Sequence, residues 1–210
     1  MNQFSVLTHV PEFTKGLVRE IRVRWALEEM GLDYEAVKYP HPETKKDEYL
    51  TKQPFGQVPY FSSGDLTMFE SGAILLHLAL KHGKLLPGDE NERARVFSWF
   101  FAALNSIEPF GLHHFMLKMD PESPERMKEK ARELLKNRLG VVARGLGERD
   151  FFGEEFSIAD IVMTTVCRNM NVSNLLEDFP NLTRYTKRME TRPAFMKALN
   201  EHEKLYQESV

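Results

Sequence analysis

An α+β chain in two parts is what the sequence predicts: a small mixed sheet with helices over residues 1–82, a linker over 83–89 and an all-helical part over 90–210. Three observations carry this. Strand-like runs alternate with helical periodicity in the first part and end in a hairpin. Strand signals stop at the stretch GKLLPGD, Gly83 to Asp89, where two glycines and a proline mark a change of texture. Everything beyond it reads with helical spacing, punctuated by recognisable helix starts.

Phe4 to Val10 reads as the first strand and Pro11 to Gly16 as a loop. Leu17 to Met30 carries apolar residues at helical spacing (Leu17, Val18, Ile21, Trp25, Leu27) and stops at Gly31, a C-cap. Tyr34 to Tyr39 is a second strand, and the polar run His41 to Lys52 suits an irregular or short helical segment. Val58, Tyr60 and Phe61 form a strand, Ser63-Gly64-Asp65 a turn, Leu66 to Phe69 another strand, and Glu70 to His82 a helix. In the second part, Glu90 to Leu117 is helical with a kink expected at Pro109 and Gly111, and Ser123 to Leu146 is a charged amphipathic helix. Phe156-Ser157-Ile158-Ala159-Asp160-Ile161 is a capping box: Ser157 is expected to cap the N–H three residues on, Asp160 to reach back to Ser157 N–H, and Phe156 to staple onto Ile161. Pro180 and Pro193 each sit in the first turn of a further helix.

Composition narrows the function classes. A net charge of -3 and a pI near 6.2 give no electrostatic reason to expect nucleic acid or an anionic membrane surface. Cys167 is the single cysteine, so an intramolecular disulfide, a CxxC pair and a thiolate zinc site are excluded. His113-His114 lacks HxxxH spacing, and no metal is expected. No run approaches membrane-spanning length and the N-terminus lacks a signal-peptide pattern, so a cytoplasmic protein is expected.

The hairpin running into a helix is where chemistry concentrates. A helix N-terminus offers unpaired N–H groups and a positive dipole end to a carboxylate, Ser71 adds a hydroxyl, and Glu70 beside it suits an ammonium. The pair can grip an amino acid by both charged ends. Pro59 stands where a strand begins, a place that tolerates its missing N–H.

PFGQVP followed by FES, Pro54 to Pro59 and Phe69 to Ser71, resembles the glutathione site of the cytosolic glutathione transferases, whose first domain is thioredoxin-like in its β-α-β-α-β-β-α order. The capping box and the proline-started helices are similar to that family's second domain, so the likeness spans nearly the whole chain. The resemblance implies a cis peptide before Pro59, Gln57 and Val58 on the cysteinyl part of glutathione, Glu70 and Ser71 on its γ-glutamyl end, and Lys45 on its glycyl carboxylate, with Lys46 and Lys52 as neighbouring candidates. It further implies glutathione as co-substrate, a small hydrophobic electrophile as second substrate, a detoxifying transferase and a homodimer with Met68-Phe69 at its interface. Non-catalytic binding and glutathione-dependent hydroperoxide reduction on the same fold are the alternatives.

The first loop departs from the family, which supplies a Tyr, Ser or Cys there to stabilise the thiolate; in this it is read as an atypical, bacterial-type member. Thr14 is the first candidate in this chain, Thr8 the second, and backbone amides near Gly16 a third route. Arg19, Arg22 and Arg24 follow the loop and are expected solvated or paired. By the same resemblance Phe13, Asn105, Glu108 and Phe110 are expected to line the substrate cleft, with Phe115, Met116 and Met119. Asn105 and Glu108 serve equally well as buried hydrogen-bonding groups. Arg168 interrupts the apolar run Ile161 to Met170 and is expected either to pair with an acid or to face an anionic ligand as a second catalytic candidate.

Overall fold

Burial on both faces makes Asn2–Leu7 the central strand: Phe4, Ser5 and Val6 are all fully buried. The structure, a computed structural model, describes residues 1–171 and 173–207. This strand, β1, pairs in parallel with β2 (Tyr34–Tyr39), setting Phe4 opposite Ala36, and antiparallel with β3 (Tyr60–Ser63). β4 (Leu66–Phe69) completes a mixed sheet of order β2-β1-β3-β4. β1 stops at Leu7 rather than Val10 because β2 turns away into a 3-10 turn at His41, whose N–H would have been the next donor of the parallel ladder; Thr8 N–H makes the last bond, 3.0 Å to the Tyr39 carbonyl.

The first helix, α1, spans Glu20–Met30 and begins one turn later than the periodicity suggests. Gly16 takes φ 73°, and Leu17 N–H and Ile21 N–H close three-residue turns onto Thr14 and Val18, so residues 17–19 form a tight turn leading into the helix. It ends as expected at Gly31 (φ 69°), with Leu32 N–H returning 2.9 Å to the Leu27 carbonyl. The polar run after β2 folds into a 3-10 turn, His41–Lys45, and a single helical turn α2, Asp47–Leu50. After the hairpin comes α3, Ser71–His82.

The helical elements are α4 (Glu90–Phe101), α5 (Glu108–Met119), α6 (Glu125–Leu146), α7 (Ile158–Asn171), α8 (Pro180–Glu190) and α9 (Pro193–Gln207). Between α4 and α5 the helix widens to a π segment, Ala102–Ile107, in which Glu108 N–H reaches the Ala103 carbonyl. Pro109 explains it: its missing N–H would have served Asn105 in a regular helix. At Gly111 the helix runs on unbroken. This glycine lets α5 close onto Met170, where a Cβ would collide.

The α7 capping box is wider than expected. Asp160 Oδ2 accepts Ser157 N–H (3.0 Å) and Ser157 Oγ–H (3.1 Å), while Oδ1 accepts Phe152 N–H (3.0 Å) and Tyr185 O–H (2.9 Å). Ser157 Oγ accepts Ala159 N–H, two residues on rather than three. Phe156 stacks against Phe151, ring centroids 5.9 Å apart. No described helix is long and apolar enough to cross a membrane.

The chain divides into two compact units, Leu86–Met189 and Met1–Leu85 joined by everything from Glu190 onward. The last helix, α9, expected within the helical part 90–210, packs on α1 instead. Trp25 meets Phe195 edge-on at 4.8 Å, Arg192 holds both Glu29 oxygens through Nε and Nη2 at 2.6 and 2.9 Å, and Lys197 pairs with Glu28 at 2.7 Å. Helical periodicity cannot announce this choice, because an amphipathic face does not say which partner covers it.

Candidate functional site

The segment entering β3 is held by buried hydroxyls. Tyr60 N–H donates to Ser5 Oγ (2.8 Å), which lies 2.7 Å from Tyr49 Oη, and Tyr49 O–H donates to the Gln57 carbonyl (2.6 Å). Since Tyr49 commits its proton to Gln57, the Ser5 hydroxyl donates to Tyr49, and one continuous chain ties both ends of Gln57–Tyr60 to the sheet. Burial pushes the Tyr49 phenol up to about 12, so it stays a donor across the physiological range. Gln53 adds its buried side-chain carbonyl, which accepts Phe55 N–H (2.7 Å) and Gln57 N–H (3.3 Å). Within this frame the Val58-Pro59 peptide is cis.

Both backbone groups of Gln57 are engaged inside the protein while its carboxamide is exposed, and Val58 next to it is buried. Lys45 sits beside this segment and donates to the Gly56 carbonyl at 2.7 Å; Gly56 takes φ 61°, and a Cβ there would press on the lysine and on the Thr44 carbonyl. Lys46 instead pairs with Glu43 (2.6 Å), and Lys52 lies over the Tyr60 ring at 5.4 Å, which sets Lys45 apart from its two neighbours.

At the other end of the hairpin, Glu70 is exposed with φ 69° and ψ 115°, a backbone state costing a non-glycine residue on the order of 1–3 kcal/mol. Ser71, buried, is the first residue of α3. Beneath it lies the fully buried Arg22, whose Nη1 donates to Ser71 Oγ at 3.3 Å. Of the two expected states, solvated or paired, Arg22 is in the second, with a neutral hydroxyl as a partner. Arg24 is buried as well, its guanidinium 5.1 Å from the Phe4 ring and 5.5 Å from that of Tyr34, and 3.9 Å from Glu20 Oε1. A signal was present in the sequence: Ile21, Val23, Trp25, Ala26 and Leu27 interleave with the two arginines, so apolar residues fall on every face of the first two turns of α1 and the arginines between them are buried too. Arg19 is half-buried.

The first loop forms a 3-10 turn, Glu12–Thr14. Thr14, half-buried, donates its hydroxyl to the Pro11 carbonyl at 2.7 Å, inside its own turn. Phe13 next to it is 52 % exposed. Thr8 follows β1 and is half-buried.

The remaining candidates belong to the helical unit. Glu108 is buried where α5 starts, whereas Asn105 is exposed within the π segment and so is not the buried hydrogen-bonding group that was one expectation for it. Phe110 is half-buried under Arg138, whose guanidinium lies 3.5 Å from the ring centroid and also donates to the Ser106 carbonyl (3.0 Å). One face of that ring is therefore covered. Phe115 is half-buried, and Met116 and Met119 are exposed at 62 % and 59 %. Arg168 lies half-buried on α7. His114 is buried, and that burial lowers its pKa; His113 is exposed. Among the described residues no cluster of His, Cys, Asp or Glu could hold a metal ion.

Cys167 is fully buried, and burial pushes its thiol up to about 12 against a weaker hydrogen bond to Thr186. The native protein is therefore expected to leave an aromatic disulfide reagent unreduced at pH 8 and to release one equivalent of chromophore only in denaturant. Prompt reaction of the native protein would overturn the core assignment.

Comparison with known proteins adds to this geometry. The family model for the glutathione S-transferase N-terminal domain matches residues 15–80, and that for the glutathione S-transferase C-terminal domain matches residues 109–193. Glutathione S-transferase 1 of Zea mays is 31% identical over 195 residues, 84% of this chain and 88% of that protein. A glutathione transferase from Pseudomonas putida, solved with one glutathione disulfide bound per subunit, superposes with TM-score 0.81 at 28% identity, covering 94% of this chain and 90% of that one. The nitrogen regulation fragment of the yeast prion protein Ure2p has the same fold, with TM-score 0.82 at 22% identity, covering 95% and 96%.

Proposed function

The chain belongs to the glutathione S-transferase family, and from that premise we propose that it binds glutathione in the Met1–Leu85 unit and activates its thiol for attack on a hydrophobic electrophile. The observation that carries this is the Gln57–Ser71 hairpin, a strap pinned by buried hydroxyls and running into a helix N-terminus, with an acid, a hydroxyl and a buried guanidinium gathered at its end.

Glutathione is γ-glutamyl-cysteinyl-glycine. Its γ-glutamyl ammonium meets the Glu70 carboxylate, and the carboxylate of the same residue meets Ser71 Oγ and the first N–H groups of α3. Arg22 contributes from below: its charge polarises the Ser71 hydroxyl it touches and strengthens the anion site. Val58's backbone and the Gln57 carboxamide take the cysteinyl portion, and Lys45 the glycyl carboxylate. Glutathione is the only cofactor needed, as a co-substrate, and the active form is a homodimer with Met68 and Phe69 at its interface; Phe69 is 37 % exposed and stacks on exposed Phe55 at 6.1 Å.

In the reaction the thiol proton passes to water, the thiolate lone pair forms a C–S bond, and the electrophile's leaving group departs with its bonding pair. A thiol of pKa ~8.5 is only a few per cent ionised at pH 7, and lowering it by two units takes ~2.7 kcal/mol, close to what one hydrogen bond to a charged acceptor supplies. Thr14 supplies it by turning its proton from the Pro11 carbonyl to the thiolate, the stronger acceptor.

Thiolate absorbance near 240 nm, followed against pH with and without protein, tests this. Bound glutathione is expected to ionise at least one unit below the free tripeptide, and Thr14→Val to reverse at least half of that shift with affinity for the protonated thiol unchanged. Binding with an unshifted pKa selects the second reading, a non-catalytic glutathione-binding protein, which the engaged Thr14 hydroxyl favours. An unshifted Thr14→Val variant would move the thiolate contact to backbone amides.

A further inference from the structure

The bonds inside the first loop set its shape but not its position. Thr14 N–H returns to Pro11 (2.9 Å), Lys15 N–H to Glu12 (3.2 Å) and Leu17 N–H to Thr14 (3.0 Å), all within seven residues of chain. Its position is set from the far end of the sequence. Gly16 N–H donates to His202 Nε2 at 2.8 Å, across a separation of 186 residues, and His202 Nδ1 lies 2.6 Å from Glu20 Oε1. A backbone N–H can only donate, so Nε2 is the unprotonated nitrogen and the ring proton sits on Nδ1, donated to Glu20. Both side chains are fully buried.

A second tie supports the first. Tyr206, one turn further along α9, packs edge-on against the His202 ring at 5.0 Å, and the Lys15 ammonium lies over the Tyr206 ring at 5.8 Å while pairing with Glu12 at 2.6 Å. Lys15 and Gly16, the two residues after Thr14, are thus both fastened to α9. The Gly16 bond is directional, and its length is fixed by a ring that Glu20 orients. Glu20 is also the first residue of α1, so the ring that holds the loop is oriented from the helix into which the loop leads.

We propose that His202, oriented by Glu20, is a positioning residue for thiol activation: by holding Gly16 it places Thr14 at the distance where its hydroxyl can meet the glutathione thiolate. This rests on the transferase reading above. A misplacement of about 1 Å in such a contact costs on the order of 100-fold in rate, so the clamp acts on activation while the hairpin retains affinity.

The test compares wild type with His202→Phe, His202→Asn and His202→Gln, reading the bound-thiol pKa by absorbance, glutathione Kd by calorimetry, and kcat with an activated aryl halide. His202→Phe is expected to keep Kd within threefold, raise the bound-thiol pKa by at least half a unit and lower kcat at least fivefold. His202→Gln, whose carbonyl can still accept Gly16 N–H, is expected to recover most of both; His202→Asn, one methylene shorter, is not. The Gln and Asn pair carries the comparison if the Phe variant does not fold. Equal values for Gln and Asn, or an unchanged pKa in a folded Phe variant, overturn the clamp and leave the transferase reading standing. A wild-type protein that does not shift the thiol overturns both.

Discussion

Replacing Asp160 with Ala is expected to cost about 3–5 kcal/mol of stability, a drop in Tm of roughly 10 °C for a chain of this size. The carboxylate is fully buried and accepts four hydrogen bonds, two of them from backbone N–H groups, of Phe152 and Ser157, that have nowhere else to donate. Each buried donor left without a partner costs about 1–3 kcal/mol. Asp160→Asn is the sharper variant, since it keeps the volume but turns an NH2 toward two of those donors; it is expected to lose at least 2 kcal/mol, near the lower range for breaking such a network. Burial raises the Asp160 pKa, and the donated bonds oppose that rise. With the folded-state value above the unfolded one, this group favours folding most at low pH and loses that contribution as pH climbs through the folded-state pKa. The Asn variant should accordingly show a flatter stability profile over the acid range. Chemical denaturation showing less than 1 kcal/mol of loss for Asp160→Ala would remove the capping network as a determinant of the fold.

Glutathione affinity is expected to fall at least tenfold in Glu70→Ala, or about 1.4 kcal/mol by calorimetry, because the γ-glutamyl ammonium loses its counter-charge. The backbone at this residue allows binding and stability to be separated. Glu70 holds φ 69° with an ordinary side chain, strain of a kind that concentrates at binding sites. Glu70→Gly relieves it while adding chain entropy to the unfolded state, two effects of about 1 kcal/mol and opposite sign. The Gly variant should therefore melt within a few degrees of wild type yet bind glutathione as weakly as the Ala variant. Wild-type affinity in both would remove Glu70 from the site, and with it the γ-glutamyl assignment.

Much of this was legible in the chain. The strand and helix order, Gly31 as a C-cap, the hairpin at Ser63-Gly64-Asp65 and the α7 capping box follow from local chemistry: positive φ selects glycine, a missing N–H restricts proline, and apolar residues repeat at the period of the element that buries them. The motif PFGQVP with FES singled out the hairpin for the same reason, since a helix N-terminus and its flanking acid are neighbours in sequence.

What the tertiary structure alone decided involves partners far apart in sequence. Nothing near Arg22 announces that its guanidinium reaches Ser71, 49 positions away, or that Tyr49 O–H closes on Gln57 through a chain beginning at Ser5. The side to which α9 packs, and hence the meeting of His202 with Gly16 and Glu20, depends on which apolar face covers Trp25. Periodicity shows that a face is buried; only the folded chain chooses its partner, because that choice is made by shape and charge summed over the whole interface rather than by any one residue.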